Sequence, residues 1–132
     1  MNKNQVDRYC SLRNDLLARG FDDREINGLL RAEKTLHRWA EHECNGTIQR
    51  DGDNGDGRPY WYNTNTGAKL GPTADREAGA LKRATAIARA HGCDIYHQGD
   101  PRGCALYIIR PGDIQDGHNV GSCYTNGLAI CI

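Results

Sequence analysis

The chain has 132 residues, of which 38% are hydrophobic, enough for one domain that buries roughly two-thirds of its unfolded surface without staples. Seventeen Lys plus Arg balance seventeen Asp plus Glu, so no net field draws in a polyanion; strong general binding of nucleic acid is excluded and any anion site is local. No segment approaches the roughly 18 apolar residues of a membrane span, and MNKNQVDRYC has no apolar signal core, so a soluble protein of the cytoplasm with no membrane partner is expected.

Residues 4 to 19 read as a helix with Val6, Leu12, Leu16 and Leu17 inward, stopped by Gly20. The next helix, about 23 to 44, is better written. Asp22 caps it with Glu25 three residues on, Phe21 staples onto Ile26, and Ile26, Leu29, Leu30, Leu36 and Ala40 recur near the helical period until Asn45-Gly46. "TIQRD" and "YWYNT" then form a hairpin around the polar tip "DGDNGDGRP". That tip carries Asp51, Asp53 and Asp56, but a calcium loop counted from Asp51 puts Gly55 at position 5, Asp56 at 6 and Tyr62 at 12, where oxygen ligands, glycine and glutamate are required. The tip is therefore a solvated turn.

"TADREAGALKRATAIARAHG" is a third helix, capped by Thr73 or Asp75, with Leu81, Ala84, Ile87 and Ala88 inward and Gly92 as terminator. "CDIYHQ" and "CALYII" alternate as a second hairpin. "SCYTNGLAICI" forms a third strand pair around Asn126-Gly127, and "RPGDIQDGHNVG" is a loop. The order α, α, β, β, α, β, β, β, β predicts a single α+β domain: an antiparallel sheet of hairpins with three helices packed mainly on one face. The six cysteines form no C-x-x-C pair, which predicts reduced, buried thiols and no metal or other cofactor.

The second hairpin turn, "DPRG", carries more than a reversal needs. Asp100, Pro101 and Gly103 are what a type I turn asks for at its first, second and fourth places; the third imposes no side chain, which leaves Arg102 unexplained by geometry. Thirteen of the seventeen cations are arginine, a residue whose planar fork suits carboxylate or phosphate, though a GC-rich genome gives the same bias. Arg102 is thus a candidate oxyanion ligand, with His97 and Gln98 ending the incoming strand on opposite faces and Tyr96 and Tyr107 as stacking surfaces. A second group lies in "RPYWYNTN". Tyr60 and Tyr62 share one face and Trp61 the other, with Arg58 adjacent, an association of ring and guanidinium that suits bases and phosphates or, equally, a sheet packed under a helix.

Catalytic patterns are lacking. The two serines, Ser11 and Ser122, stand in no nucleophile elbow. His37 and His42 in "HRWAEHEC" are five apart where a zinc-protease helix needs four, and His37 with Glu41 reads as an i, i+4 pair on a solvated face. No phosphate-cradling glycine loop occurs, and nothing positions Cys123 and His118 as a nucleophile pair.

"LHRWAEHECNGTIQRD", "YWY" and "YHQGDPRGCALYI" resemble stretches of small, mostly uncharacterised proteins encoded by tailed phages and prophages of proteobacteria, over roughly residues 29 to 131. In size, element order and arginine-bearing hairpin the chain is similar to the Thoeris anti-defence sponges. That resemblance implies a non-enzymatic, homo-oligomeric protein of the host cytoplasm that sequesters a phosphate-bearing cyclic nucleotide immune signal without cleaving it. Arg102 would grip phosphate, with His97, Gln98, Tyr96 and Arg58 beside it and Trp61 or Tyr62 on a base. The alternative is a protein inhibitor that docks on a host defence complex such as a CRISPR effector.

Overall fold

The computed structural model describes residues 1–51, 60–111 and 127–132, with residues 71–75 described by their backbone alone. The expected α+β architecture is observed, with three helices and two antiparallel sheets among the described residues. Helix α1 (Lys3–Ala18) opens with a reciprocal cap, Asn2 Oδ1 accepting from the Gln5 N–H at 2.9 Å while the Asn2 N–H donates to Gln5 Oε1 at 3.0 Å. Gly20 ends this segment at φ +96°, a left-handed conformation that a β-carbon disfavours. Leu12 and Leu16 are buried, but Val6 and Leu17, expected to point inward, are 41% and 38% exposed. Four apolar positions are more than this helix can cover with the narrow strip it presents to its neighbour.

Helix α2 (Asp23–Cys44) is the spine. Its predicted box is present, with the Glu25 N–H on Asp22 Oδ1 at 2.8 Å and the Asp22 N–H on Glu25 Oε1 at 3.1 Å. Glu25 does double duty, because His91 Nε2 lies 2.8 Å from its other oxygen and the His91 ring sits 4.1 Å from that of Phe21. The start of α2 is thereby joined to the end of helix α3 (Gly71–Arg89). That helix begins two residues before Thr73, so neither Thr73 nor Asp75 caps it. Leu70 is the N-cap and offers no side-chain bond, while Pro72 presets the first turn.

Ala80, Ala84 and Ala88 are fully buried at four-residue steps along α3, and a β-carbon added at Gly28 of α2 would meet Ile87 Cδ1 at 3.0 Å. Small side chains on both helices therefore set a close crossing. The alanines belong to the main core with Leu12, Leu16, Phe21, Ile26, Leu29, Leu36, Leu106, Ile108 and Ile130. Burying each of the larger side chains stabilises by roughly 1.5–3 kcal/mol.

Strands β1 (Ile48–Asp51) and β2 (Tyr60–Asn63) pair antiparallel, Ile48 opposite Asn63 and Asp51 opposite Tyr60. Strands β3 (Asp94–His97), β4 (Leu106–Ile109) and β5 (Leu128–Ala129) form a separate sheet in that order. The hairpins were expected to share one sheet. They do not, because the chain leaving β2 turns back on it: Leu70 N–H donates to Trp61 O at 3.0 Å, the Asn63 N–H to Ala68 O at 2.9 Å, and Lys69 bridges Tyr62. The edge of β2 is thus taken by the segment that leads into α3. Beneath this smaller sheet lies a second core of Trp39, Ile48 and Trp61 with Leu70 against it. The polar tip with its calcium-like aspartates and Arg58, the loop after Arg110 and the incoming arm of the third strand pair lie outside the described residues.

Candidate anion-binding cleft

The second hairpin forms as the sequence predicts, and its turn explains the arginine. Asp100 Oδ1 accepts the Arg102 N–H at 2.9 Å, and the Gly103 N–H reaches Asp100 O at 3.4 Å. The same carboxylate then takes the guanidinium as well, with Nε 3.1 Å from Oδ1 and Nη2 2.9 Å from Oδ2. Each partner shifts the other: Arg102 holds the Asp100 carboxyl below its ordinary range, and Asp100 raises the guanidinium. The Arg102 side chain is 88% exposed, but its charge is met by a carboxylate of its own turn.

The other expected ligands are scattered. Tyr96 and Tyr107 are half-buried and face each other across the strands with ring centroids 6.0 Å apart. His97 is pushed below its ordinary range by burial, against the opposing charge of Glu77, so its neutral form is favoured and it adds little positive potential. Gln98 is half-buried with its side-chain oxygen unpartnered. Trp61 is 4% exposed, within the second core, its ring tilted against that of Trp39 with centroids 5.1 Å apart and its indole N–H donating to Glu77 Oε2 at 2.7 Å. Tyr62 is half-buried beside Tyr60. Arg58 lies outside the described residues. The two aromatic groups thus sit in different sheets, one on each core, and the structure does not bring them together.

A different set of cations does converge. Arg31, Lys34, Thr35, Arg38, Glu41 and His42 stand at offsets of 3, 4, 7, 10 and 11 along α2 and so share one face, and with Arg76 of α3, His37 and Trp39 they line a cleft of about 700 Å3. The amphipathic pattern that buries Leu29, Ala32, Leu36 and Ala40 on one side of α2 leaves this polar stripe on the other. Among the described residues, no carboxylate lies within ion-pair distance of Arg31, Lys34, Arg38 or Arg76. The acid of the cleft, Glu41, is engaged by His37 Nδ1 at 2.8 Å.

His37 is the hinge between cleft and turn. Its Nε2 lies 2.8 Å from the Pro101 carbonyl while Nδ1 faces Glu41. Both neighbours are acceptors, so the ring is held between the α2 face and the turn through both of its nitrogens. His42 Nδ1 is 3.1 Å from Thr47 Oγ1, whose own proton goes to the His42 carbonyl at 3.0 Å. The hydroxyl must therefore accept from the ring, which leaves His42 Nε2 facing outward. Together these residues can hold one or two phosphate groups by forked, charge-assisted bonds.

The sequence reading did not single out Arg31, Lys34, Arg38 or Arg76. The signal was available, because Arg31, Lys34 and Arg38 stand at i, i+3 and i+7, but an exposed basic helix face is ordinarily a solvated one. What distinguishes this face is that its one acid among the described residues, Glu41, is engaged by His37, and that Arg76 arrives from α3; the latter is a tertiary fact. No family model matches the chain, and no curated protein or solved structure matches it either. No helix of the described residues is long and apolar enough to cross a membrane, and no cluster of three metal-ligating side chains occurs among them.

Proposed function

We propose that this protein captures a small phosphate-bearing ligand in the α2–α3 cleft, and that the ligand is a nucleotide signal held intact. The observation that carries the reading is four cations around one concavity that have no ion-pair partner among the described residues, in a chain of zero net charge. Exposed cations of neutral proteins are ordinarily interleaved with acids, and leaving four together costs mutual repulsion that a bound polyphosphate or cyclic dinucleotide relieves. Arg38, Arg31 and Arg76 fork onto phosphate oxygens and Lys34 closes the side as a point charge. The Trp39 edge offers little area for a base, so phosphate supplies most of the affinity. Sequestration of a cyclic nucleotide used by a host defence system is the biological role that fits capture without turnover.

The test has two parts. Purified protein is denatured and the supernatant is examined by mass spectrometry for a released nucleotide. The folded protein is then incubated with cyclic dinucleotides, cyclic trinucleotides, linear nucleotides and inorganic phosphate, with a single-stranded oligonucleotide as a further arm. Intact recovery of a nucleotide that binds in isothermal titration supports the reading. Degradation of the nucleotide, preference for the oligonucleotide, or no heat with any of them overturns it.

A further inference from the structure

Two thiols meet beside a second cavity, behind the basic cleft. Cys104 lies two residues before β4 and Cys131 two residues after β5. The register of Tyr107 opposite Ala129 and Ile108 opposite Leu128 is continued by Ile130 N–H donating to Leu106 O at 2.9 Å, which brings residue 131 alongside 104 and 105. Each thiol shifts the protonation of the other. Both line a cavity of about 730 Å3 whose wall also contains Leu30, Glu33, Lys34 and His37.

The two sulfurs are not equivalent. Cys104 is buried and donates its S–H to the Leu106 carbonyl oxygen at 3.0 Å; the neighbouring Cys131 and burial both favour its protonated form. Cys131 is half-buried and opens on the cavity. The neighbouring Cys104 thiol pulls the Cys131 thiol down to about 7, with the charges of Arg8 on α1 and His37 on α2 adding to it, while burial and Glu33 oppose. Lys34 and Arg31 lie on the same wall. A thiolate that is open to solvent, backed by a second thiol that keeps its proton, is the arrangement of a nucleophilic sulfur with a resolving partner. From this geometry we infer that Cys131 is a hydroperoxide-reactive thiol and Cys104 its resolving partner.

The chemistry balances. The Cys131 thiolate attacks the terminal oxygen of a hydroperoxide; an S–O bond forms as the O–O bond breaks, the alkoxide leaves and takes a proton, and the sulfur is oxidised to sulfenic acid as the peroxide is reduced. The Cys104 sulfur then attacks the sulfenic sulfur and gives up its proton. An S–S bond forms, the S–O bond breaks, and the oxygen departs as water. Cys10 and Cys44 provide an internal comparison, since both are exposed on other parts of the molecule.

The reduced full-length protein is treated with one equivalent of hydrogen peroxide and its peptides are mapped without reduction. The expected product is the Cys104–Cys131 cross-link, lighter by two hydrogens and reversed by dithiothreitol, formed before any change at Cys10 or Cys44. In Cys104→Ser, dimedone should trap Cys131 as the sulfenic adduct. Oxidation of Cys131 no faster than Cys10 and Cys44, or a cross-link that joins other cysteines first, overturns the inference. Because Cys104 is buried and its serine variant is at risk of misfolding, the pH profile of iodoacetamide alkylation on the unaltered protein decides independently: a midpoint for Cys131 below the ordinary thiol value of about 8.5 sustains the inference, and one at or above that value removes it.

Discussion

Arg102 and Arg38 are both exposed guanidinium groups, and they differ in what stands within reach. The turn that presents Arg102 needs Asp100 for its own backbone bond, and the carboxylate that caps the Arg102 N–H is placed by the same geometry to take the side chain. Arg38 belongs to a helix face on which the acid of the cleft, Glu41, is held by His37. Exposure is common to both regions; uncancelled charge belongs to the helix face. A cation is available to a ligand when its local carboxylates have other obligations, and that depends on hydrogen-bond partners more than on surface area.

The contrast is broken or sharpened most severely by reversing charge in the cleft. Arg31→Glu with Arg38→Glu should lower nucleotide affinity by at least about 100-fold in titration calorimetry, since each charge-assisted bond to phosphate is worth roughly 1.5–3 kcal/mol. Circular dichroism should stay unchanged, because both side chains are exposed. A loss no greater than that of Arg102→Ala would erase the distinction between the two regions. Next in size is Glu77→Ala, which strands the buried Trp61 N–H and should cost about 1–3 kcal/mol in urea unfolding. Nucleotide affinity, measured well below the melting transition, should not move. If affinity falls with Glu77→Ala while stability does not, Trp61 is a ligand residue rather than the floor of the second core.

Smaller still is a pH effect at His97, whose hairpin carries Arg102. Burial favours its neutral form in the folded state, so below the unfolded value of about 6.5 the unfolded chain takes up the proton more readily. Stability contributed by this residue is therefore present above that value and is lost as pH falls towards the folded pKa. Between pH 7.5 and 5.5 the unfolding free energy of the wild type should drop more than that of His97→Gln. An equal drop would mean that His97 is solvated and positively charged beside the turn, which would strengthen the hairpin as an anion site.

Local rules explain why some of this was legible. The α2 helix was readable to the residue because cap, staple and period all point to the same boundaries, and the DPRG turn was readable because three of its four places have backbone reasons. The start of α3 was misplaced because Thr73 and Asp75 look like caps, whereas the backbone bond from Leu70 to the Trp61 carbonyl starts the helix earlier. The division into two sheets depends on that same return of residues 68–70 along β2, which no local pattern announces. The cleft was hidden for a related reason: three of its cations lie in one sequence segment, but the concavity exists only where Arg76 of α3 faces them. The thiol pair joins positions 27 residues apart by the β4–β5 register, and spacing rules for cysteine look for nearer neighbours.

The smallest expected effect is the most discriminating. From the sequence, Arg102→Ala should abolish ligand retention with the fold intact. From the structure, it should leave affinity within about threefold, because the side chain is committed to Asp100 and a ligand phosphate would have to displace a carboxylate already held through two nitrogens. The turn itself keeps its Asp100 bond to the residue-102 N–H, so the melting temperature should not shift measurably. Asp100→Asn separates the two accounts further, since the amide retains the backbone bond and releases the guanidinium. If freeing Arg102 in this way raises affinity, the turn lies close enough to the cleft, through the His37–Pro101 contact, to contribute once its counter-charge is removed. If affinity is unmoved, the α2 face acts alone and the guanidinium at position 102 serves only its own turn.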